Sequence, residues 1–224
     1  MSKNKWWAKT LRIVGIILMS LTGAFTLMGG LGTSCVALKP KGFGPAFIKL
    51  ASMQWLYILF VVVTTAIGIM GILAVIKLVK GRKNAYSFTL ASLILGLVVG
   101  GIHMAVSRNL RGSSMPVDAV VYTTILTLVF FLIIRIPSIW AAVNFEKEND
   151  EGKESGGAAA IVIGFMILSI PYLMSGTHTI GGINYANVWY PIMNTIGSVL
   201  VVIGAAALFL PKKLALRKPV REMN

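Results

Sequence analysis

Six long apolar stretches, separated by short basic or turn-rich segments, account for almost the whole chain. A hydrocarbon layer about 30 Å thick needs about 20 apolar residues per spanning helix, and each stretch is close to that length. Residues 120–134 (VVYTTILTLVFFLII), for example, are apolar on every face, whereas a surface helix of a soluble protein has one polar face. The pattern predicts an all-α integral membrane protein, a six-transmembrane-helix bundle that forms a single domain over residues 1–224. The predicted spans cover residues 13–30, 53–78, 86–106, 117–140, 157–174 and 192–210.

Composition supports the same class of protein. Hydrophobic residues make up 56% of the chain, and the mean hydropathy is +0.81. A soluble domain of 224 residues has too little interior to hide that much apolar surface. The bilayer itself is therefore the first predicted partner.

The charge of the chain is strongly basic, with 21 lysines and arginines against 7 acidic residues. These cations lie at the ends of the apolar stretches and form no single patch or stripe, which argues against nucleic-acid binding. Most of them fall on the N-terminus, the even-numbered loops and the C-terminus. The positive-inside bias then predicts that both termini are cytoplasmic, in the plasma (inner) membrane, with anionic lipids as further partners.

Three local features refine this topology. The fourth loop, residues 146–156 (EKENDEGKESG), holds five of the seven acidic residues and is predicted to be a solvated cytoplasmic linker between two sets of three spans. Pro171 and Pro191 are predicted to bracket the fifth loop at membrane boundaries. Small residues spaced four apart predict close helix packing. These pairs are Ser20 with Ala24, Gly96 with Gly100, and Ala160 with Gly164.

Acidic side chains are missing from the predicted spans. Asp118 lies at the outer edge of the fourth span, Glu222 lies in the C-terminal tail, and the other carboxylates lie in the fourth loop. Carriers coupled to protons or sodium usually use carboxylates inside the membrane as ligands or relays. No nucleotide-binding loop, HExxH, CxxC or GxSxG motif is present either. The sequence therefore predicts a protein without such coupling, whose substrates would be neutral or anionic.

The reactive side chains that remain are His103, His178 and Cys35, the only histidines and the only cysteine. All three map to the predicted outer side. If they converge, they would form a catalytic site or a metal or haem site, with the two histidines as ligands, and reduced copper would suit such soft donors. Their wide separation in sequence argues against convergence, so no cofactor is predicted, and haem or copper belongs to the alternative below.

A basic rim is predicted at the same side. Lys39, Lys41, Arg108 and Arg111, with Lys49 nearby, are candidates for contact with an anion or a lipid head group. Simple anchoring by snorkelling side chains explains the same pattern without a converging site.

The leading functional interpretation is a non-enzymatic membrane protein, either a transport or permeation protein or a structural subunit of a membrane complex. The alternative is a membrane-embedded enzyme, or a haem or copper redox protein, with an outward-facing site around His103, His178 and Cys35. The sequence leaves open a homo-oligomer or a partner in a membrane complex. A polar cavity opening from the outer side between spans one, three and six would favour transport, and a dry interior would favour a structural subunit.

Overall fold

The computed structural model describes residues 6–147, 152–174, 179–180 and 182–209. The described chain is almost entirely helical, apart from one small hairpin in which Thr179 pairs with Asn184 and Ile180 with Ile183. The helices are α1 (Trp6–Leu38), α2 (Pro45–Ile48), α3 (Gln54–Val79), α4 (Ala85–Arg111), α5 (Val117–Ile134), α6 (Pro137–Val143), α7 (Gly152–Met174) and α8 (Tyr185–Phe209), and the strands are β1 (Thr179–Ile180) and β2 (Ile183–Asn184).

Six helical segments of the described residues are long and apolar enough to cross a membrane. They are Trp6–Leu38, Pro45–Val79, Ala85–Arg111, Val117–Ile134, Gly152–Leu173 and Tyr185–Phe209. This confirms the predicted all-α architecture of a polytopic membrane protein. The single domain, the cytoplasmic location of both termini and the identity of the membrane stay predictions.

The helices extend beyond several of the predicted spans, as in Trp6–Leu38 against 13–30, and two spans differ at a proline. The fourth span, predicted over 117–140, ends at Ile134, and a separate helix begins at Pro137. Ile136 has an extended ψ of 127° because the ring of a following proline disfavours the helical region. The sixth span begins at Tyr185, so Pro191 lies inside α8 and does not bound the fifth loop.

The predicted acidic linker is also only partly a loop. Residues 148–151 lie outside the described part of the chain, but α7 begins at Gly152, so the second half of the segment is helical. Glu154 forms an ion pair with Lys9 near the start of α1. The prediction missed this because a run of charges in sequence does not show which charge a neighbouring helix will pair.

The helices form two packing units. Helix α1 contacts α3, α5 and α7, while α4 packs between α3 and α5. Helix α8 packs chiefly against α7. The result is a four-helix unit of α1, α3, α4 and α5, with the α7–α8 pair attached through the contact of α7 with α1.

Glycines allow the closest helix contacts. A Cβ built on Gly68 would lie 2.5 Å from the Cα of Leu27, so the backbones of α3 and α1 are nearly in contact. In the α7–α8 pair, a Cβ on Gly164 would lie 2.7 Å from the carbonyl oxygen of Gly197. Gly157 and Gly204 contact each other in the same way, two helical turns further along the pair. The predicted small-residue packing is confirmed at Gly164. On both α7 and α8, however, the glycines in contact are seven residues apart, whereas the prediction considered only pairs four apart.

One end of the four-helix unit is closed by an apolar cluster that includes Ile16, Leu78, Phe131, Ile134 and Phe145. This is the predicted cytoplasmic end, because it holds the turn between α3 and α4. The opposite, predicted outer end holds the α1–α3 segment and the α4–α5 turn, which meet where the Arg111 guanidinium lies 4.6 Å above the centre of the Phe47 ring.

Candidate functional site

Of the three reactive residues singled out in the sequence, the structure describes two, and their surroundings differ. His103 of α4 is buried, with 5% of its surface exposed. Cys35 lies near the end of α1 and is exposed. His178 lies outside the described residues. The proposed convergence of the two histidines is therefore untested, and Cys35 is not among the residues that line the cavity beside His103.

Aromatic packing holds the His103 ring in place. It stacks on Phe60 of α3 with ring centres 4.4 Å apart and planes 18° apart. The Tyr57 ring packs nearly perpendicular to it, with the two ring centres 5.4 Å apart. The Tyr57 hydroxyl shares a buried 2.8 Å hydrogen bond with Ser107, one turn beyond the histidine on α4. The imidazole therefore has one defined orientation between α3 and α4.

A cavity of about 30 Å³, measured as the space open to the centre of a water molecule, adjoins His103. It lies between α1, α3, α4 and α5 and includes the start of α5 in its wall. Its lining residues are Thr26, Gly29, Thr33, Thr64, Ile67, Gly96, Val99, Gly100, His103, Pro116, Val117 and Val120.

A second cavity of about 10 Å³ continues from the first toward the middle of the bundle. Thr26, Ile67 and Gly96 line both cavities, so the two are neighbours. The remaining lining residues are Met19, Thr22, Gly23, Gly71, Ser92, Leu93 and Thr124. Beyond this point the apolar cluster at the predicted cytoplasmic end fills the space between the helices. The two cavities thus extend from the predicted outer end to about the middle of the bundle.

Several hydroxyl groups in these walls donate to their own helices. Thr26 donates to the carbonyl oxygen of Thr22 at 2.7 Å, and Thr33 donates to that of Gly29 at 2.7 Å. Thr124 of α5 does the same, donating to Val120 at 2.7 Å. Threonines in helices commonly bond to the carbonyl one turn earlier. Their oxygen atoms keep lone pairs that can accept a further hydrogen bond.

Thr64 differs from these threonines. Its hydroxyl oxygen is buried and makes no hydrogen bond within the described part of the chain, although its side chain lines the larger cavity. A buried hydroxyl without a partner is costly, by about 1–3 kcal/mol. Because this oxygen is covered from water-sized molecules, the rest of the Thr64 side chain is the part that borders the cavity.

The α4–α5 turn forms the predicted outer wall of the cavity through Pro116 and Val117. Arg108 holds this turn in place: its Nε donates to Ser114 Oγ at 2.8 Å and its Nη2 to Asp118 Oδ2 at 3.2 Å. Ser114 in turn donates to the other oxygen of Asp118. The single carboxylate at this end is thus bound by the turn itself and does not line the cavity.

The predicted basic rim divides into two kinds of side chain. Lys39 and Lys41 are exposed beyond the end of α1. Arg108 contacts Asp118, and Arg111 donates to the carbonyl oxygens of Ser113 and Met115. Both arginines therefore have a role in ordering the turn. Contact of the four cations with an anion or a lipid head group stays a prediction.

The site differs from the sequence prediction in its location and its main residues. The cavity lies among the first four spans, with no residue of the sixth in its lining. The sequence-based prediction considered histidine and cysteine side chains and did not include the threonines. A signal was present, because Thr22, Thr26 and Thr33 recur at spacings of four and seven and so share one face of α1.

Among the described residues, no group of three or more His, Cys, Asp and Glu side chains lies close enough to hold a metal ion. Comparison of the chain with known protein families, with curated proteins and with solved structures found no match.

Proposed function

We propose that this polytopic membrane protein is a non-enzymatic transport or permeation protein whose route runs through the unit of α1, α3, α4 and α5. The observation that carries the proposal is the pair of adjoining cavities between these four helices, whose mostly apolar walls include threonine side chains. They occupy the half of the bundle nearest its predicted outer end, where a solute would enter.

Polar groups inside a membrane bundle cost free energy unless they bond to a partner or face a cavity that holds water or a solute. Here they face a space between helices instead of being packed away in isolation. The larger cavity exceeds the roughly 10–15 Å³ needed to hold one water. Small solutes are therefore favoured over large ones.

The structure corresponds to a state closed at the predicted cytoplasmic end. Ile16, Leu78 and Phe131 are almost fully buried in the apolar cluster there, so passage requires the helices around it to separate. No carboxylate lines either cavity. This supports transport that is not coupled to protons or sodium through buried acidic groups.

A change at Gly96 tests the proposed route. A Cβ there would lie 3.6 Å from Ile67 and 3.7 Å from Thr124, both ordinary contacts, while a larger side chain would extend into the section that both cavities share. We expect Gly96→Val to reduce the flux of small neutral solutes into proteoliposomes to the level of protein-free vesicles. Stopped-flow light scattering after an osmotic jump measures this flux.

Gly101→Val is the matched control, because a Cβ at Gly101, on the same helix, meets no atom within 4 Å. This variant should retain the wild-type flux. Equal flux for the two variants would place the route elsewhere. Wild-type flux no greater than that of empty vesicles, for water, neutral solutes and anions alike, would overturn the transport function.

A structural subunit is the second candidate, and the position of α8 favours it. This helix packs chiefly against α7 and exposes large apolar side chains, among them Trp189, Val202 and Phe209. Such a surface contacts either lipid or another protein. The alternative of an enzyme or a haem or copper protein around His103, His178 and Cys35 stays a prediction, and metal analysis with a visible absorption spectrum of the purified protein tests it.

A further inference from the structure

We propose that the cavities select small uncharged molecules that donate hydrogen bonds, and that they exclude anions. The inference rests on the proposed transport function and names the substrate class of the same site. It narrows the sequence-based expectation, which left neutral and anionic substrates open.

The direction of the hydrogen bonds in the cavity walls is the first reason. Thr26, Thr33 and Thr124 each use their one hydroxyl hydrogen on a carbonyl oxygen of their own helix. A hydroxyl has one hydrogen and two lone pairs. Each of these oxygens can therefore accept a bond from a solute but has no hydrogen left to donate to it.

The mobile donors in the walls are few. Among the lining residues with a polar side chain, the hydroxyls of Thr64 and Ser92 make no hydrogen bond to a described protein group, and the hydroxyl of Thr64 is covered from water-sized molecules. The imidazole of His103 can donate from one nitrogen when neutral. Acceptors are therefore the more numerous groups, and a solute that donates more bonds than it accepts fits them best.

Charge in the walls gives the second reason. The lining of both cavities contains no lysine, no arginine and no carboxylate. An anion entering them would lose its hydration shell and meet threonine lone pairs instead of donors, which is unfavourable. A cation would find acceptors but no opposite charge to offset the loss of its water. An uncharged donor avoids both costs.

The size of the cavity limits the solute to a few atoms. About 30 Å³ open to the centre of a water molecule is room for roughly two waters or a molecule of similar extent. Formamide and formate suit a test, because they have the same number of non-hydrogen atoms and nearly the same shape. Formamide is neutral and donates from its amide group, whereas ionised formate only accepts.

The experiment measures the entry of both compounds into proteoliposomes that contain the full-length protein. Stopped-flow light scattering records formamide entry. Formate entry is recorded at alkaline pH, with potassium and valinomycin present so that no membrane potential opposes the anion. We expect the protein to accelerate formamide entry above that of protein-free vesicles and to leave formate entry unchanged.

The outcomes separate this inference from the function on which it rests. Accelerated formate entry, whether alone or equal to that of formamide, would overturn donor selectivity while leaving the transport function in place. No acceleration of water, formamide or formate entry would overturn both.

Two variants connect the selectivity to the walls. Thr26→Val removes one of the acceptors at almost constant volume, at a residue that lines both cavities, and we expect formamide flux to fall about fivefold, the ratio that corresponds to one net hydrogen bond. Thr26→Ser keeps the hydroxyl and should keep most of the flux. Size-exclusion elution and thermal unfolding in detergent establish that both variants are folded. Equal formamide flux in folded Thr26→Val and wild-type protein would show that this oxygen does not accept a hydrogen bond from the solute and would overturn the proposed selection.

Discussion

Replacement of Gly68 with alanine is expected to destabilise the folded protein by about 3 kcal/mol, the upper end of the cost of overpacking a core. The added methyl carbon would lie 2.5 Å from the Cα and 2.6 Å from the backbone nitrogen of Leu27. Carbon atoms in contact are normally about 3.5–4.0 Å apart. A flexible side chain could rotate away from such a contact, but the backbone of α1 cannot, so α1 and α3 must separate.

The separation would extend along the interface, because other glycine contacts follow on the same two helices. A Cβ on Gly71 would lie 2.8 Å from the Cα of Gly23, and a Cβ on Gly30 would lie 2.8 Å from the backbone nitrogen of Thr65. Inside a bilayer, helix association depends on such packing, since lipid chains remove the usual hydrophobic driving force. One methyl group therefore disturbs a contact that has no other large source of stability.

Thermal unfolding of the purified protein in detergent measures the effect. Gly32→Ala is the control, because this position of α1 has no atom within 4 Å of the added Cβ. It should be neutral or stabilising by up to about 1 kcal/mol, since alanine is the better helix former. If the two variants unfold at the same temperature, the close α1–α3 contact is not a feature of the protein in solution.

Replacement of Arg12 with lysine is expected to cost about 3 kcal/mol, although the charge is kept. The Arg12 side chain is 2% exposed, and its two terminal nitrogens donate to four carbonyl oxygens. These oxygens belong to Leu78, Val143, Asn144 and Lys147, at distances of 3.2, 3.4, 2.9 and 3.3 Å.

The positions of these carbonyl groups explain the expected cost. Leu78 is near the C-terminus of α3 and Val143 is the last residue of α6, where carbonyl oxygens have no partner within the helix. A guanidinium also offsets the partial negative charge at both helix ends. The single nitrogen of lysine cannot replace a planar group that donates in two directions.

Thermal unfolding in detergent again measures the change, with Arg82→Lys as the control. Arg82 is exposed in the turn between α3 and α4, so its replacement should alter stability by less than about 0.5 kcal/mol. An Arg12→Lys variant as stable as the wild type would show that the charge alone, and not the geometry of the guanidinium, stabilises this end of the bundle.

The candidate site was predicted only in part. The sequence indicated His103 and its predicted outer location, because a histidine in an apolar stretch stands out. It did not indicate that Phe60 and Tyr57 would hold the ring, or that Thr26 and Thr64 would face the same space. Each of these residues is unremarkable within its own helix and becomes part of a site only when α1, α3 and α4 meet.

Arg12 and Asp118 show the same limit for charged groups. In the sequence Arg12 is one of several cations before the first span, and Asp118 is a lone acid beside the fourth. The structure buries the arginine among helix ends and pairs the acid with Arg108. A linear pattern of charge gives the side of the membrane to which a loop belongs, but not the partner that each charge will have.

The amino-acid sequence alone was enough to predict that this chain lies in a membrane and that it has six long helices. Each span must satisfy its own backbone hydrogen bonds and match the bilayer in length, and both requirements are local, so hydropathy along the chain is enough. The tertiary structure was needed to show which helices touch, that α8 packs beside α7, and that threonines from α1, α3 and α5 line two adjoining cavities. Those outcomes depend on glycine contacts between residues distant in sequence, and no local average of hydrophobicity records them.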